Sequence, residues 1–254
     1  MSLDLNNRLV VGISSRALFD LEEENRIFEN EGLDAYREYQ ISHENDILRP
    51  GTAFPLVKAL HKLNTGDERL TEVIVMSKNS ADTSLRIFNS IEKYGLDISR
   101  AALVSGASIA PYLGSFKTDL FLSADEYDVQ EAVNAGFAAG IICSGEELPI
   151  DPDKEIDQIR IAFDGDAVIF SEESEEIYKT RGLAAFGEHE KQNAQNPLPE
   201  GPFAKLLKTI SHVQKQFGED DMPIRTALVT ARNAPAHERV IRTLRAWDVR
   251  IDEA

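Results

Sequence analysis

The run Ile159-Arg160-Ile161-Ala162-Phe163-Asp164-Gly165-Asp166-Ala167-Val168-Ile169-Phe170 sets two carboxylates, two residues apart, between apolar stretches. Carboxylates at the end of a buried strand are costly unless they bind or react with something. The chemistry this spacing suits is phosphoryl transfer. Asp164 could attack phosphorus and form an aspartyl-phosphate. Asp166 could protonate the leaving oxygen and then activate water. A hard cation with oxygen ligands, Mg²⁺ before others, would be held by Asp164 and Asp166 and would neutralise carboxylate and phosphate together. The rival reading is an Asp-Gly-Asp surface turn. Asp-Gly pairs are common in turns, but a turn does not account for the apolar residues on both sides.

A second apolar run, Ile224-Arg225-Thr226-Ala227-Leu228-Val229, delivers Thr230. A hydroxyl at a strand end, with the backbone amides of Ala231 and Arg232 after it, is a ready phosphate clamp. Read alone, Thr230 is an ordinary helix N-cap; beside the aspartates the clamp is the better reading. Arg232 could face the phosphate or solvate a loop. The acidic run Glu172 to Glu176 reads as a solvated helix start, where acids suit the dipole. Glu188-His189-Glu190-Lys191-Gln192-Asn193 reads as a surface helix. His189 lacks partners at metal-ligand spacing, and its functional alternative is contact with a base or ribose. Tyr94, Trp247 and the phenylalanines at helical spacing read as core.

The elements that must position these residues alternate along the chain. Leu9 to Ile13, Val73 to Met76, Ala101 to Val104, Leu120 to Leu122 and Ala138 to Cys143 read as strands. Phe54 to Leu63, Ser84 to Tyr94 and Val129 to Ala135 have helical spacing. Such alternation argues for a parallel, helix-covered sheet. The polar segment Leu148 to Lys154, with two prolines, is the best boundary between domains.

Beyond that boundary the pattern restarts. A shift of 150 positions lays Ala17 on Ala167, Ile27 on Ile177, Gly32-Leu33 on Gly182-Leu183 and Gly51 on Gly201. A shift of 153 then lays Val75-Met76-Ser77 on Leu228-Val229-Thr230, Arg86 on Arg239 and Tyr94 on Trp247. Chance likeness between two acidic amphipathic segments is the bland reading. A gap-free register over about forty positions that keeps both glycines favours duplication. The first copy has Ser14 and Arg16 where the second has Asp164 and Asp166, so no aspartyl-phosphate can form there. Lys117 and Asp125 in the first copy have the character of later-motif groups, or are plain surface charges. The second copy stops at Ala254, about forty residues short of the first copy's extent.

Composition narrows the partners. The 254 residues include 44 acidic and 27 basic side chains, a net charge of −17. Such a surface disfavours nucleic acid and anionic membranes, so neither is an expected partner. Cys143 is the only cysteine, which rules out an internal disulfide and a cysteine-based zinc cluster. No stretch approaches the roughly 20 apolar residues of a membrane span, and the first residues do not read as a signal peptide. A cytoplasmic protein is expected. Oligomeric state stays open, a homo-oligomer included.

With these residues in view, Ala162 to Val168 together with Leu228-Val229-Thr230-Ala231-Arg232 resembles the haloacid dehalogenase superfamily of phosphohydrolases. More narrowly, the chain resembles the cytosolic 5'-nucleotidase I family. The likeness includes Val11 to Phe19, Pro50 to Pro55, Asn89 to Leu96, Leu122 to Asp125 and Glu188 to Lys191, and it covers nearly the whole chain. It implies Mg²⁺-dependent hydrolysis of nucleoside 5'-monophosphates, AMP in particular. Asp164 would be the nucleophile, Asp166 the acid and base, and Thr230 the hydroxyl of the second motif. The family's third motif, a lysine, and its acidic fourth motif would follow Trp247-Asp248-Val249 and do not occur in this sequence. The expected architecture is α/β: two related haloacid-dehalogenase-like (Rossmann-like) units with mainly parallel sheets. Residues 1–150 would be a degenerate unit, and residues 155–254 a catalytic unit lacking its C-terminal part. The rival functions are a truncated, non-catalytic nucleotide-binding protein and a sugar-phosphate phosphatase of the same superfamily.

Overall fold

A computed structural model describes residues 8–65, 68–143, 150–218, 221–230, 232 and 234–254. The chain divides into two compact units, Met1–Asp157 and Gln158–Ala254. The polar segment 148–154 lies partly outside the described residues; its described part is just before this division.

The first unit is a five-stranded sheet of order β3-β2-β1-β4-β5, parallel throughout. Its strands are β1 (Leu9–Ile13), β2 (Thr71–Ser77), β3 (Ala101–Leu103), β4 (Leu120–Ser123) and β5 (Ala139–Ile141). Every residue of β1 and β2 is buried. Continuous apolar runs such as Leu-Val-Val-Gly-Ile are what a parallel strand covered on both faces requires. Val11 pairs with Val73 on one side and Leu120 on the other, which centres β1 in the sheet. The chain runs outward from β1 to β3, then returns to the far side of β1 as β4. That reversal creates a switch point between β1 and β4.

Helices cross between these strands: α1 (Ser15–Leu18), α2 (Glu22–Glu31), α3 (Leu33–Ser42), α4 (Phe54–Lys62), α5 (Leu85–Lys93), α6 (Ala110–Ser115) and α7 (Glu126–Asn134). Pro55 lies in the first turn of α4, where a missing N–H is harmless. Asp125 caps α7 by accepting from the Asp128 N–H at 3.0 Å. One core cluster gathers Val10, Ile74, Met76, Leu113, Phe121 and Ala132. The α/β class with mainly parallel strands, expected from the alternation, is what the structure shows.

The second unit contains β6 (Ile159–Asp164), α8 (Glu173–Gln192), α9 (Ala204–Gln214), β7 (Ile224–Val229) and α10 (Ala234–Ala246). Strands β6 and β7 are parallel and in register from Ile159↔Ile224 to Asp164↔Val229. The expected buried strand before Asp164 needs correction. Among the described residues β6 pairs on one side only, and its burial alternates: Ile159 and Phe163 are buried while Arg160 and Ala162 are exposed.

Contacts in the two units recur at paired positions. Ser90 Oγ accepts the Leu48 N–H at 3.0 Å, and Thr243 Oγ1 accepts the Leu198 N–H at 2.8 Å. Arg86 Nε donates to the Asp46 carbonyl at 2.8 Å, and Arg239 Nε to the Asn196 carbonyl at 2.9 Å. Gly32 and Gly182 share a left-handed, glycine-only backbone, φ +88° and +79°; at Gly182 it kinks α8 into two helical pieces. The gap-free shift of 150 does not hold throughout. Phe19 N–H bonds back four residues to Ser15, whereas Phe170 N–H bonds back five, to Gly165. One extra residue is therefore absorbed in a π-turn, Gly165–Ile169. Phe170, not Ile169, matches Phe19: the bridge Phe19–Pro50 recurs as Phe170–Glu200.

Candidate functional site

The parallel register of β6 and β7 brings Asp164 level with Val229, so the residues that follow each strand emerge side by side. Asp164 ends β6 and caps the π-turn, its Oδ1 accepting from the Asp166 N–H at 3.2 Å. It is exposed, and its other oxygen has no partner among the described residues. Asp166 lies inside the turn and is half-buried. Thr230 Oγ1 donates to Asp166 Oδ2 at 3.2 Å and accepts from the Arg232 N–H at 3.2 Å. The helix that follows, α10, begins at Ala234, so Thr230 is four residues ahead of it rather than its immediate cap. Three of the residues singled out from sequence, Asp166, Thr230 and Arg232, are thus in direct contact. Ala231 lies outside the described residues.

Arg232 does not solvate a loop. Its side chain is 2% exposed and is held from both ends. Nε and Nη2 both donate to Asp166 Oδ1, at 2.8 and 2.6 Å, while Nη1 donates to Glu190 Oε2. The guanidinium also lies 5.4 Å from the Phe186 ring centre and 5.9 Å from that of Phe170, within cation–π range.

Glu190 overturns the surface-helix reading of 188–193. Its side chain is fully buried, at 0% exposure. Besides Arg232 it accepts from Arg239 Nη1 at 2.9 Å and from Ser174 Oγ at 2.8 Å. Burial alone would raise its pKa. The Ser174 hydroxyl, Arg232 and Arg239 outweigh that and hold the carboxyl below its ordinary value. His189 is committed to the same cluster, 3.3 Å from Glu190 and 3.4 Å from Glu173. Sequence reasoning missed Glu190, Ser174 and Arg239 as site residues. A signal existed in the repeat: Arg86 and Arg239 match, while the acid moves from Glu24 in the first copy to Glu190 in the second.

Chemically, the site offers one exposed carboxylate, one carboxylate paired with arginine, and a hydroxyl. Asp164 and Asp166 supply hard oxygen donors of the kind Mg²⁺ takes. That ion is commonly bound through one or two carboxylates with substrate phosphate and water completing its shell. No group of three or more metal-ligating side chains occurs among the described residues. A neighbouring cavity of about 430 Å³ runs along α10, lined by Arg232, His237, Glu238, Ile241, Arg242 and Arg245. Three of its six lining residues are arginines, of which Arg232 pairs with Asp166 and Glu190 and Arg242 pairs with Glu238 at 2.8 Å.

In the first unit, Ser14 occupies the Asp164 position and also caps its turn, accepting the Ala17 N–H at 3.2 Å. Ala17 and Val168 accept matching bonds, from the Ala53 and Phe203 N–H groups, so the extra residue of the π-turn lies before Val168 and Arg16 faces Asp166 and Ala167 together in the comparison; Arg16 pairs with Glu22 at 3.0 Å. Asp125 serves as the cap of α7, and Lys117 is an exposed residue in a left-handed turn, φ +54°.

Among the described residues no helix is long and apolar enough to cross a membrane. The family described as 5'-nucleotidase matches residues 1–254. Human (Homo sapiens) cytosolic 5'-nucleotidase 1B is 39% identical over 260 residues, which cover 98% of this chain and 42% of that relative. The chain therefore spans about two fifths of the length of this curated relative. No solved structure matches it.

Proposed function

The chain belongs to the 5'-nucleotidase family, and on that premise we propose that it is a Mg²⁺-dependent 5'-nucleotidase. Its second unit would hydrolyse nucleoside 5'-monophosphates, AMP in particular, to nucleoside and phosphate. The observation that carries this reading is the meeting of Asp164, Asp166, Thr230 and Arg232 at the parallel ends of β6 and β7.

Asp164 is the nucleophile. One of its oxygens is steadied by the Asp166 N–H, and the other is free to attack phosphorus. As the new O–P bond forms, the bond from phosphorus to the ribose oxygen breaks, and Asp166, having taken up a proton from water once Arg232 has left it, gives that proton to the oxygen. Asp166 then takes a proton from the water that cleaves the aspartyl-phosphate, which restores Asp164. Thr230 donates its hydroxyl to a phosphoryl oxygen in place of Asp166 Oδ2. Arg232 leaves Asp166 Oδ1 and turns its two N–H groups to the phosphate, which frees the acid and base. Asp164 and Asp166 would hold Mg²⁺, which when bound supplies positive charge to the phosphoryl oxygens. We place the protein in the cytoplasm, as the relative's name places that protein.

The test is phosphate release from AMP with Mg²⁺, comparing the unsubstituted chain with Asp164→Asn. The unsubstituted chain should release phosphate and the variant none. Absence of release with AMP still bound would leave a non-catalytic nucleotide-binding protein. Release with no preference for AMP over sugar phosphates would make it a sugar-phosphate phosphatase.

A further inference from the structure

The first unit has a cavity of about 750 Å³, well within the range of small-molecule sites. Its floor is the C-terminal edge of the sheet: Ser14 and Ser15 after β1, Ser77 and Lys78 at the end of β2, and Ser123 at the end of β4. The crevice beyond the strand ends, beside the switch point, is where open parallel sheets take their ligands.

Two features show what chemistry it would take. The first is a pair of buried donors without acceptors. Arg16 Nε and Asn79 Nδ2 are both buried and unpartnered, and both residues line this cavity. A buried N–H with no acceptor is expensive, so each calls for a ligand oxygen. The acids in the wall are engaged. Glu24 pairs with Arg86, Asp82 with Arg37 at 2.6 Å, Asp128 with Lys78 at 2.5 Å, and Asp125 accepts the Asp128 N–H at 3.0 Å. The unmet demand is thus for oxygen acceptors at these two donors, in a lining that sets Arg16, Arg37 and Lys78 against four acids. The second feature is an apolar wall opposite. Phe28 and Tyr36 meet edge to face, their ring centres 5.9 Å apart, next to Leu21 and Leu33. Phe28 remains 49% exposed and Leu33 65%, so a flat ring could cover them.

We propose that the first unit is a second ligand site, which binds a phosphate monoester carrying a ring system, needs no divalent cation to do so, and does not hydrolyse it. Ser14 stands where a nucleophilic carboxylate would have to be, so no acyl-phosphate forms. Arg16, paired with Glu22 at 3.0 Å, puts a cation in the turn that carries Asp166 in the second unit, so the phosphate meets an arginine without a metal. Every residue lining this cavity belongs to the first unit, and the site stands or falls apart from the nucleotidase reading.

The experiment uses the whole chain with Asp164→Asn, so that no substrate is consumed. AMP and inorganic phosphate are titrated in EDTA by calorimetry. Binding of AMP at one site per chain is expected without metal. Asn79→Asp is isosteric and keeps the acceptor for the Tyr36 hydroxyl, which lies at 3.0 Å; it should weaken both ligands about tenfold to a hundredfold, as should Arg16→Gln. Phe28→Ala should weaken AMP and leave inorganic phosphate unchanged. Phe28 is half exposed, so Phe28→Trp should fold; combined with Trp247→Phe it gives a fluorescence signal at the wall itself, which AMP should change. Loss of AMP binding in EDTA overturns the proposal. So does binding that ignores Asn79→Asp and Arg16→Gln yet vanishes with Thr230→Val, and so does a silent Phe28→Trp reporter. Failure of the nucleotidase reading is separate: it is the absence of phosphate release with Mg²⁺ in the unsubstituted chain.

Discussion

Replacing Glu190 with glutamine tests the buried cluster that ties Arg232 into the second unit. Glu190 is fully buried between Arg232 and Arg239, whose side chains are 2% and 4% exposed. Glutamine keeps the shape and one acceptor but removes the charge, which leaves two buried guanidiniums sharing a neutral amide. Removing one partner from a buried ion pair costs about 3–5 kcal/mol. Domains are stable by roughly 0.05–0.15 kcal/mol per residue, so the loss is a large share of what a unit spanning Gln158–Ala254 can hold. Trp247 is the only tryptophan, and its ring centre lies 5.7 Å from that of Phe170, so its fluorescence follows this unit. With a urea slope of about 1–3 kcal/mol/M, the midpoint should fall by at least 1 M. The first unit supplies the rescue. There the acid is Glu24, at the place of Ser174, and Gln40 stands at the place of Glu190. Glu24 pairs with Arg86, the counterpart of Arg239. Ser174→Glu combined with Glu190→Gln should therefore return about half of the loss, because Arg239 regains a carboxylate while Arg232 keeps only Asp166. Coupling of this size, about 1–3 kcal/mol, is usual between residues of one network. A single variant that shifts stability by less than about 1 kcal/mol, or a double variant less stable than the single, would refute this account.

Acid should unfold the second unit through two carboxyls. Glu190 is held below its ordinary 4.5 because the Ser174 hydroxyl and two arginines outweigh burial, and Asp252 below 3.8 because the Thr226 N–H and Arg250 do the same. Folded values below unfolded ones mean stability that is complete above the unfolded value and lost as pH falls through the folded one. The Trp247 urea midpoint should be flat at neutral pH and drop below about pH 4.5, and Glu190→Gln should flatten part of that drop. Gly182→Ala should cost on the order of 1–3 kcal/mol, because φ +79° with ψ 178° is open only to glycine; an unchanged urea midpoint would contradict this. At Gly201 an added Cβ would lie 2.5 Å from the Phe170 carbonyl and 2.6 Å from that of Val168. Gly201→Ala should therefore push on the turn that holds Asp166 and lower phosphate release from AMP by more than its effect on stability; equal release at equal folded fraction would count against the link.

The strands of the first unit could be read from sequence because burial on both faces leaves unbroken apolar runs, as in β1 and β2. Asp164, Asp166 and Thr230 could be read because they follow the largely apolar stretches Ile159 to Phe163 and Ile224 to Val229, even though burial along β6 and β7 alternates. Glu190 could not. A lone acid in a polar helix segment looks the same whether it faces water or two arginines, and only the packing of α8 against α10 decides which. Arg232 was ambiguous for the same reason: its partners, Asp166 and Glu190, are 66 and 42 residues away in sequence. The π-turn was invisible because an inserted residue leaves Gly32 and Gly182 in register, the extra length being taken up before the kink.

The paired positions also explain why two sites of one design would treat a phosphate differently. Six residues of each unit can be compared around the strand ends. In the first unit they hold Ser14, Arg16, Glu24, Gln40, Asn79 and Arg86, with a net charge of +1. In the second they hold Asp164, Asp166, Ser174, Glu190, Arg232 and Arg239, with a net charge of −1. The difference is two charges, the amount a single divalent cation would supply. A phosphate entering the second unit meets net negative charge, and its binding should be strongly metal-dependent. A phosphate entering the first unit meets that compensation built into the chain as Arg16. The carboxylate that makes a nucleophile is the same group that makes a metal necessary, so exchanging it for Ser14 removes both properties together. A chain carrying Ser14→Asp and Arg16→Asp should accordingly lose metal-free AMP binding in the first unit and regain it only with Mg²⁺; retention of tight binding in EDTA would show that charge at these two positions does not set the metal requirement.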